Sequence, residues 1–244
     1  MSVEVLSSKA VIKDSRRELL RRELSFTSPW WKRLACKAGI SKAIDVGDDL
    51  KSWDVLKTLH FIENNISKDA AILDMGAFAS ELPCILHNLH YSNVVGVDLN
   101  PSIKTMPYAD SVRYEVTDFM HTPFENESFD VITAISVIEH GFNGQLLLKE
   151  LSRLLRPHGY FVASFDYWPD KVDTTGISIF GMSWTIFSAQ EVSAFVREGA
   201  EYGLFPSGEI NLRGSERAIS CANKDYTFAW LVLQKDPSRH GREE

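Results

Sequence analysis

A chain of 244 residues with 44% hydrophobic residues can enclose one sizeable core. Its formal net charge of −7 argues against a nucleic-acid backbone as main partner, because neutralising phosphates takes a positive surface. No stretch approaches the roughly 20 apolar residues of a membrane span, the start lacks a signal-peptide pattern, and Cys36, Cys84 and Cys221 have no metal-like spacing. A soluble, cytoplasmic protein in a reducing compartment is expected.

In chain order, Asp14 to Leu24 reads as a short charged helix with Leu19, Leu20 and Leu24 facing something apolar. Trp30 and Trp31 follow Pro29 directly, and read either as packing or as part of a lid lining a pocket. Lys51 to Ile66 forms an amphipathic helix whose buried side carries Trp53, Leu56, Leu59 and His60. The run AAILDM has almost no alternation, the pattern of a strand covered on both faces of a parallel sheet. It ends at Asp74 and Gly76. Ser80 is placed to cap the helix that follows, Glu81 to favour its dipole, and Leu82, Ile85, Leu86 and Leu89 form its stripe. NVVGVDL is a second buried strand ending in Asp98. Strand, glycine-bearing turn, helix, strand and acid in that order make the mononucleotide-binding half of a doubly wound fold, with the acid placed to hold a ribose diol.

Pro101 and Pro107 shorten the next crossover. A third strand, Val112 to Asp118, ends at an acid followed by Phe119, and FDVITAIS is the fourth. Glu139 and His140 come next, then a helix from Asn143 to Leu155 and a fifth strand in RPHGYFVASF. Residues 166–188 are too aromatic and irregular for a simple connection; Tyr167, Trp168, Phe180, Met182 and Trp184 read as pocket wall or as a flap on the core. Ser188 with Glu191 spells a capping box. ERAISCANKDYTFAWLVLQK gives two strands joined near Asn223 to Asp225, and residues 237–244 are expected to be a disordered tail.

These motifs together resemble class I S-adenosylmethionine-dependent methyltransferases. The family's D/E-x-G-x-G-x-G loop corresponds to Asp74, Gly76, Phe78 and Ser80, with only the first glycine kept. Its P-F-x-x-x-S-F-D phrase corresponds to Pro123, Phe124, Ser128, Phe129 and Asp130, its E-H pair to Glu139 and His140, and its P-G-G turn to Pro157, His158 and Gly159. The resemblance implies a doubly wound, Rossmann-like α/β fold: a seven-stranded, mostly parallel sheet with an antiparallel C-terminal hairpin. It also implies an N-terminal helical extension and lid over 1–66, the methyltransferase domain over 67–236 and the tail beyond. S-adenosylmethionine would be held by Asp74, Gly76, Ala77, Asp98, Leu99 and Ser136, with Asp118 and Phe119 on the adenine.

Methyl transfer needs orientation and removal of a proton, so His140 is the candidate base, with Asp166 and Tyr167 orienting an acceptor hydroxyl. Trp30, Trp31, Trp168 and Trp184 are candidate pocket residues. No metal is expected, and His87 with His90 reads as a solvated pair. The activity implied is O-methylation of a sugar or other specialised metabolite, with no nucleic-acid or membrane partner and room for a homodimer. Two other readings stay open: a non-catalytic partner subunit, supported by the degenerate loop, and a nicotinamide-dependent oxidoreductase, whose G-x-G-x-x-G loop is not present.

Overall fold

The structure is a computed structural model and describes residues 2–27 and 44–236. Trp30 and Trp31 lie outside the described residues, as does the 237–244 tail. The central sheet is built from β2 (Ala71–Met75), β3 (Asn93–Asp98), β4 (Arg113–Val116), β5 (Phe129–Ile135), β6 (Leu155–Tyr167) and β11 (Lys224–Lys235), in the order β11-β6-β5-β2-β3-β4. All pairings from β4 to β6 are parallel, and β11 runs antiparallel to β6.

The unalternating apolar runs have a direct cause: helices cover both faces, so each successive residue enters a different core. Ile72, Val131 and Val162 join one cluster while Leu73, Ile132 and Phe161 join the other. On the first face lie α1 (Lys9–Arg21), α2 (Ser52–Asn65) and α3 (Leu82–Asn88). On the second lie α4 (Gly144–Leu154) and α5 (Ala189–Gly199), the latter opened by the expected Ser188–Glu191 capping box. The crossover after β3 is a single 3-10 turn at Pro101–Thr105, as its prolines imply.

The far edge differs from the expected seven strands, and among the described residues the sheet has nine. The outer side of β11 is shared along its length by three short strands: β10 (Ile219–Cys221) pairs with 224–226, β1 (Val3–Val5) with 229–231, and β9 (Leu204–Pro206) with 233–235. The expected hairpin is β10 and β11, turning at Ala222 and Asn223 with φ of +47° and +60°, the left-handed pair that a two-residue hairpin turn requires. Dividing one long edge among three short strands leaves little of it to template another chain.

Four local expectations are corrected. Leu20 is exposed; α1 buries Ile12, Ser15, Arg16 and Leu19, the true helical stripe. His60 is exposed on α2. Ser80 stands one residue outside the N-cap of α3, which is Glu81, and its Oγ accepts from Leu82 N at 3.3 Å. Glu81 itself is buried and paired to Arg16, so its role is an inter-element ion pair rather than a dipole interaction.

Between β6 and α5 the aromatic insertion forms a two-stranded hairpin, β7 (Ser178–Ile179) and β8 (Met182–Ser183), with Phe180 exposed at its tip. Backbone bonds from Thr185 to Glu139 and from Gly141 to Ser183, both 2.9 Å, lace this insertion to the loop after β5.

Candidate active site

The strand order reverses at β2, which pairs with β3 on one side and β5 on the other. Ligands of open α/β sheets bind at the carboxyl ends of the strands at such a point. On the β3 side, Asp74 is 1% exposed; its Oδ1 accepts from Thr133 Oγ1 at 2.6 Å, while Oδ2 has no partner among the described residues. Burial pushes its carboxyl up to about 7, against the pull of the hydrogen bond from Thr133. Gly76, at φ +71°, turns the chain back so that its N–H and that of Ala77 both donate to Val97 O, at 2.9 and 3.0 Å. A Cβ at this position would overlap the Val137 side chain.

Asp98 closes the same turn from β3. Its Oδ2 accepts from Phe78 N at 3.2 Å and its Oδ1 from Asn100 N at 2.8 Å. Half-buried, it braces the loop where the family has a glycine and still keeps lone pairs for a diol, since a carboxylate offers about four acceptor sites. The Phe78 ring packs partly into the first core cluster. Leu99 is exposed, Asp118 is exposed with Oδ1 accepting from Met120 N at 2.9 Å, and Phe119 packs against the second cluster.

On the β5 side, polar groups converge from four elements. Ser136, at φ +51°, accepts from Lys51 Nζ at 2.6 Å and donates to Asp54 Oδ2 at 3.3 Å, which also accepts from Ser164 Oγ at 2.7 Å. Lys51 and Asp54, three apart at the start of α2, share one face of that helix. Lys51 Nζ also lies 3.9 Å from Asp166 Oδ1 and 3.8 Å over the Phe228 ring. Asp166, near the end of β6, accepts from Trp184 Nε1 at 2.7 Å.

Glu139 is fully buried, and neither carboxylate oxygen has a partner among the described residues. Burial first, then the neighbouring Asp166, holds its carboxyl well above the usual range, while Lys51 pulls it back. Burial likewise pushes Asp54 up to about 6 and raises Asp166. His140 stacks edge-on to Phe180 at 5.3 Å and has an unpartnered Nδ1. Burial and then Lys51 push its imidazole down to about 4, so it is neutral at physiological pH and free to accept a hydrogen bond. Tyr167 is separate from this group: fully buried, its hydroxyl donates to Leu212 O at 2.7 Å. Trp168 is half-buried with the Arg217 guanidinium 4.2 Å over its ring, and Trp184 is buried against Tyr226 and Asp166.

Residues 73–163 match the methyltransferase-domain family. Among solved structures, geranyl diphosphate C-methyltransferase from Streptomyces coelicolor, in complex with S-adenosyl-L-homocysteine, is similar at a TM-score of 0.55 and 18% identity, over 80% of this chain and 90% of that one. Residues 73–163 thus carry a methyltransferase domain, on the class I fold. The [4+2]-cyclase SpnF is also similar, at a TM-score of 0.56 and 14% identity over 96% of this chain and 98% of that one. Among curated proteins, sterol 24-C-methyltransferase of Pneumocystis carinii is 26% identical over 49% of this chain and 34% of its own length. Methyltransferase str2 of Strobilurus tenacellus is 27% identical over 52% of this chain and 50% of its own. The chain therefore spans half or less of the length of these two relatives.

The cofactor of such a domain is S-adenosylmethionine, and the residues here fit it. The β3 side offers an orphaned buried oxygen on Asp74, a Cβ-free turn at Gly76 and a diol-ready carboxylate at Asp98. The switch point thus has one group of polar residues on β2, β3 and β4 and a second on β5 and β6. The structure brings Ser136, expected at the cofactor, together with His140, Asp166 and Trp184 on the β5 side. Lys51, Asp54, Ser164 and Tyr226 join them there without having been singled out from sequence, as does Glu139, which the sequence marks only as half of the E-H pair. One signal was present: Lys51 and Asp54 are charged residues three apart on a helix otherwise read for its apolar side. Among the described residues no helix is long and apolar enough to cross a membrane.

Proposed function

We propose that the chain transfers the methyl group of S-adenosylmethionine to a nucleophilic heteroatom of a small molecule lying against Ser136, Glu139, His140 and Asp166. The observation that carries this reading is the pairing, across one switch point, of a braced Asp98 with a neutral, unpartnered His140. The cofactor supplies a methyl on a cationic sulfur, an electrophile that needs no metal. The chain's residues do the rest. Asp98 binds the ribose, Asp118 and Phe119 flank the adenine, and His140 orients the acceptor and takes its proton. The insertion 166–188 and the N-terminal segment 1–66 exclude water over the site, and the enzyme works in the cytoplasm. The methyl goes to the oxygen of a sugar or other specialised metabolite.

A second reading keeps the fold without methyl transfer. It is favoured by a specific feature: the amides of Gly76, Ala77 and Phe78 are all consumed inside the protein, by Val97 and Asp98. A shared fold does not fix a reaction. Calorimetric titration with S-adenosylmethionine and S-adenosylhomocysteine separates the two. Micromolar binding, about −8 kcal/mol, that weakens at least tenfold in Asp98→Ala is expected. No binding by the folded wild-type protein would overturn the methyl-transfer reading.

A further inference from the structure

Asp54, Glu139 and Asp166 are each at most 3% exposed and lie around the ammonium of Lys51. With all three ionised, these four residues carry two negative charges in excess, inside a region where uncompensated charge is costly. Lys51 does not satisfy them: its hydrogen bond goes to Ser136, and Asp166 Oδ1 lies 3.9 Å away.

Four carboxyl oxygens have no hydrogen-bond partner among the described residues: Asp54 Oδ1, both oxygens of Glu139, and Asp166 Oδ1. A buried polar atom without a partner calls for one, and four in one place call for a multiple donor. A proton shared between two of the carboxyls fills at most two of the four oxygens and leaves the others without a donor. An anion is disfavoured by the excess of carboxylates, and a neutral hydroxyl leaves the charge uncompensated. An alkylammonium supplies both things missing, positive charge and three N–H donors.

The walls agree. Trp184 and Tyr226 pack at 5.6 Å beside Asp166, and Phe228 already lies under the Lys51 ammonium, so aromatic faces suited to a cation line the same region. A bound metal fits less well, since no group of three or more His, Cys, Asp and Glu among the described residues is arranged to hold one. Lys51, at 25% side-chain exposure, is the most solvent-accessible member of the four.

We propose that the acceptor carries a protonated amine, and that Glu139 and Asp166 anchor it as an alkylammonium. The proposal rests on the methyl-transfer reading for the word acceptor, but the anchor itself is tested without turnover.

The probes are 2-phenylethylamine and its neutral counterpart 2-phenylethanol, titrated calorimetrically into the full chain with and without saturating S-adenosylhomocysteine. The expected result is an amine affinity at least tenfold above that of the alcohol. That preference should be lost in Glu139→Gln and reduced in Asp166→Asn, with circular dichroism unchanged and S-adenosylhomocysteine binding retained. Equal affinities, absence of amine binding, or a preference that survives both variants would overturn the anchor. Failure of S-adenosylhomocysteine binding, with the amine preference intact, would instead overturn methyl transfer and leave the anchor standing.

Discussion

Arg16 on α1 and Glu81 at the entrance of α3 are joined by two parallel hydrogen bonds, Nη2 to Oε1 at 2.7 Å and Nη1 to Oε2 at 3.0 Å. Both side chains are buried, at 10% and 1% exposure. The same guanidinium reaches Ser52, Ser25 and Asp48 O, and the same carboxylate accepts from Phe26 N. One bidentate pair thus fastens α1, α2 and the segment after α1 over the end of the β2 loop.

Breaking that pair from one side leaves the other charge buried and alone. Arg16→Met is expected to cost about 3–5 kcal/mol in urea unfolding. Replacing both partners, Arg16→Met with Glu81→Leu, should restore most of the loss, because a matched apolar pair leaves no orphan. A double variant no more stable than Arg16→Met would assign the stability to the Ser25, Ser52 and Asp48 bonds instead.

Gly76→Ala tests whether the surviving loop glycine is indispensable. The added methyl meets Val137 in a backbone conformation at φ +71° that L side chains rarely adopt. A loss of about 1–3 kcal/mol in thermal unfolding is expected from the backbone strain, with a greater than tenfold loss of S-adenosylhomocysteine affinity. Gly76→Ala with Val137→Ala should recover stability in part but not fully, since the second change removes the clash and leaves the φ. Ala79 already occupies φ +61° three residues on, so the loop carries left-handed backbone even where its glycines are replaced.

Much of this was legible because it follows from periodicity. The parallel strands, the two-faced burial and the acid ending β3 are written into runs such as AAILDM and NVVGVDL. What escaped has a common physical origin in contacts between distant segments. Glu81 looks like a dipole-favoured first-turn acid until Arg16, far away in sequence, is brought against it. Asp98 looks like a ribose ligand alone, yet it also braces Phe78 N, which is how a loop with one glycine keeps its turn. In sequence Glu139 is half of a family pair; only the approach of Asp166 from β6 and of Lys51 and Asp54 from α2 makes it a buried, unpartnered carboxyl. Tyr167 sits one residue from Asp166, and the alternation of β6 carries its hydroxyl away to Leu212.

Stability should fall as pH rises through neutrality. Asp54, Asp74, Glu139 and Asp166 all have folded pKa values raised chiefly by burial, Asp54 to about 6 and Asp74 to about 7. Their unfolded values lie near 4, so between about 4 and 7 the folded state holds more protons, and its stability declines as those protons leave. His140 acts the other way, with its folded value lowered to about 4, but it is one group against four. Urea unfolding of the ligand-free protein is expected to show a loss of about 1–3 kcal/mol between pH 6 and pH 8. Asp74→Asn should flatten part of that slope; an unchanged slope would mean that Asp74 ionises as freely in the fold as in water.

Lys51 gives the sharpest separation of charge from packing. Its ammonium lowers the pKa values of Asp54, Glu139 and Asp166 and also that of His140. Removing it in Lys51→Met keeps the stem over Phe228 and deletes the charge. The three carboxyls then hold their protons to higher pH, and ionising them becomes costlier. The destabilisation should therefore depend on pH: about 2–4 kcal/mol at pH 8, where the acids are being forced to ionise, and less than half of that at pH 5.5, where more of them keep their protons. In the same variant the His140 resonances should titrate at higher pH than in the wild type, because one of the two causes depressing that imidazole is gone. An equal loss at both pH values, with an unmoved His140 titration, would mean that Lys51 holds the site together by its contacts with Ser136 and Phe228 and not by its charge.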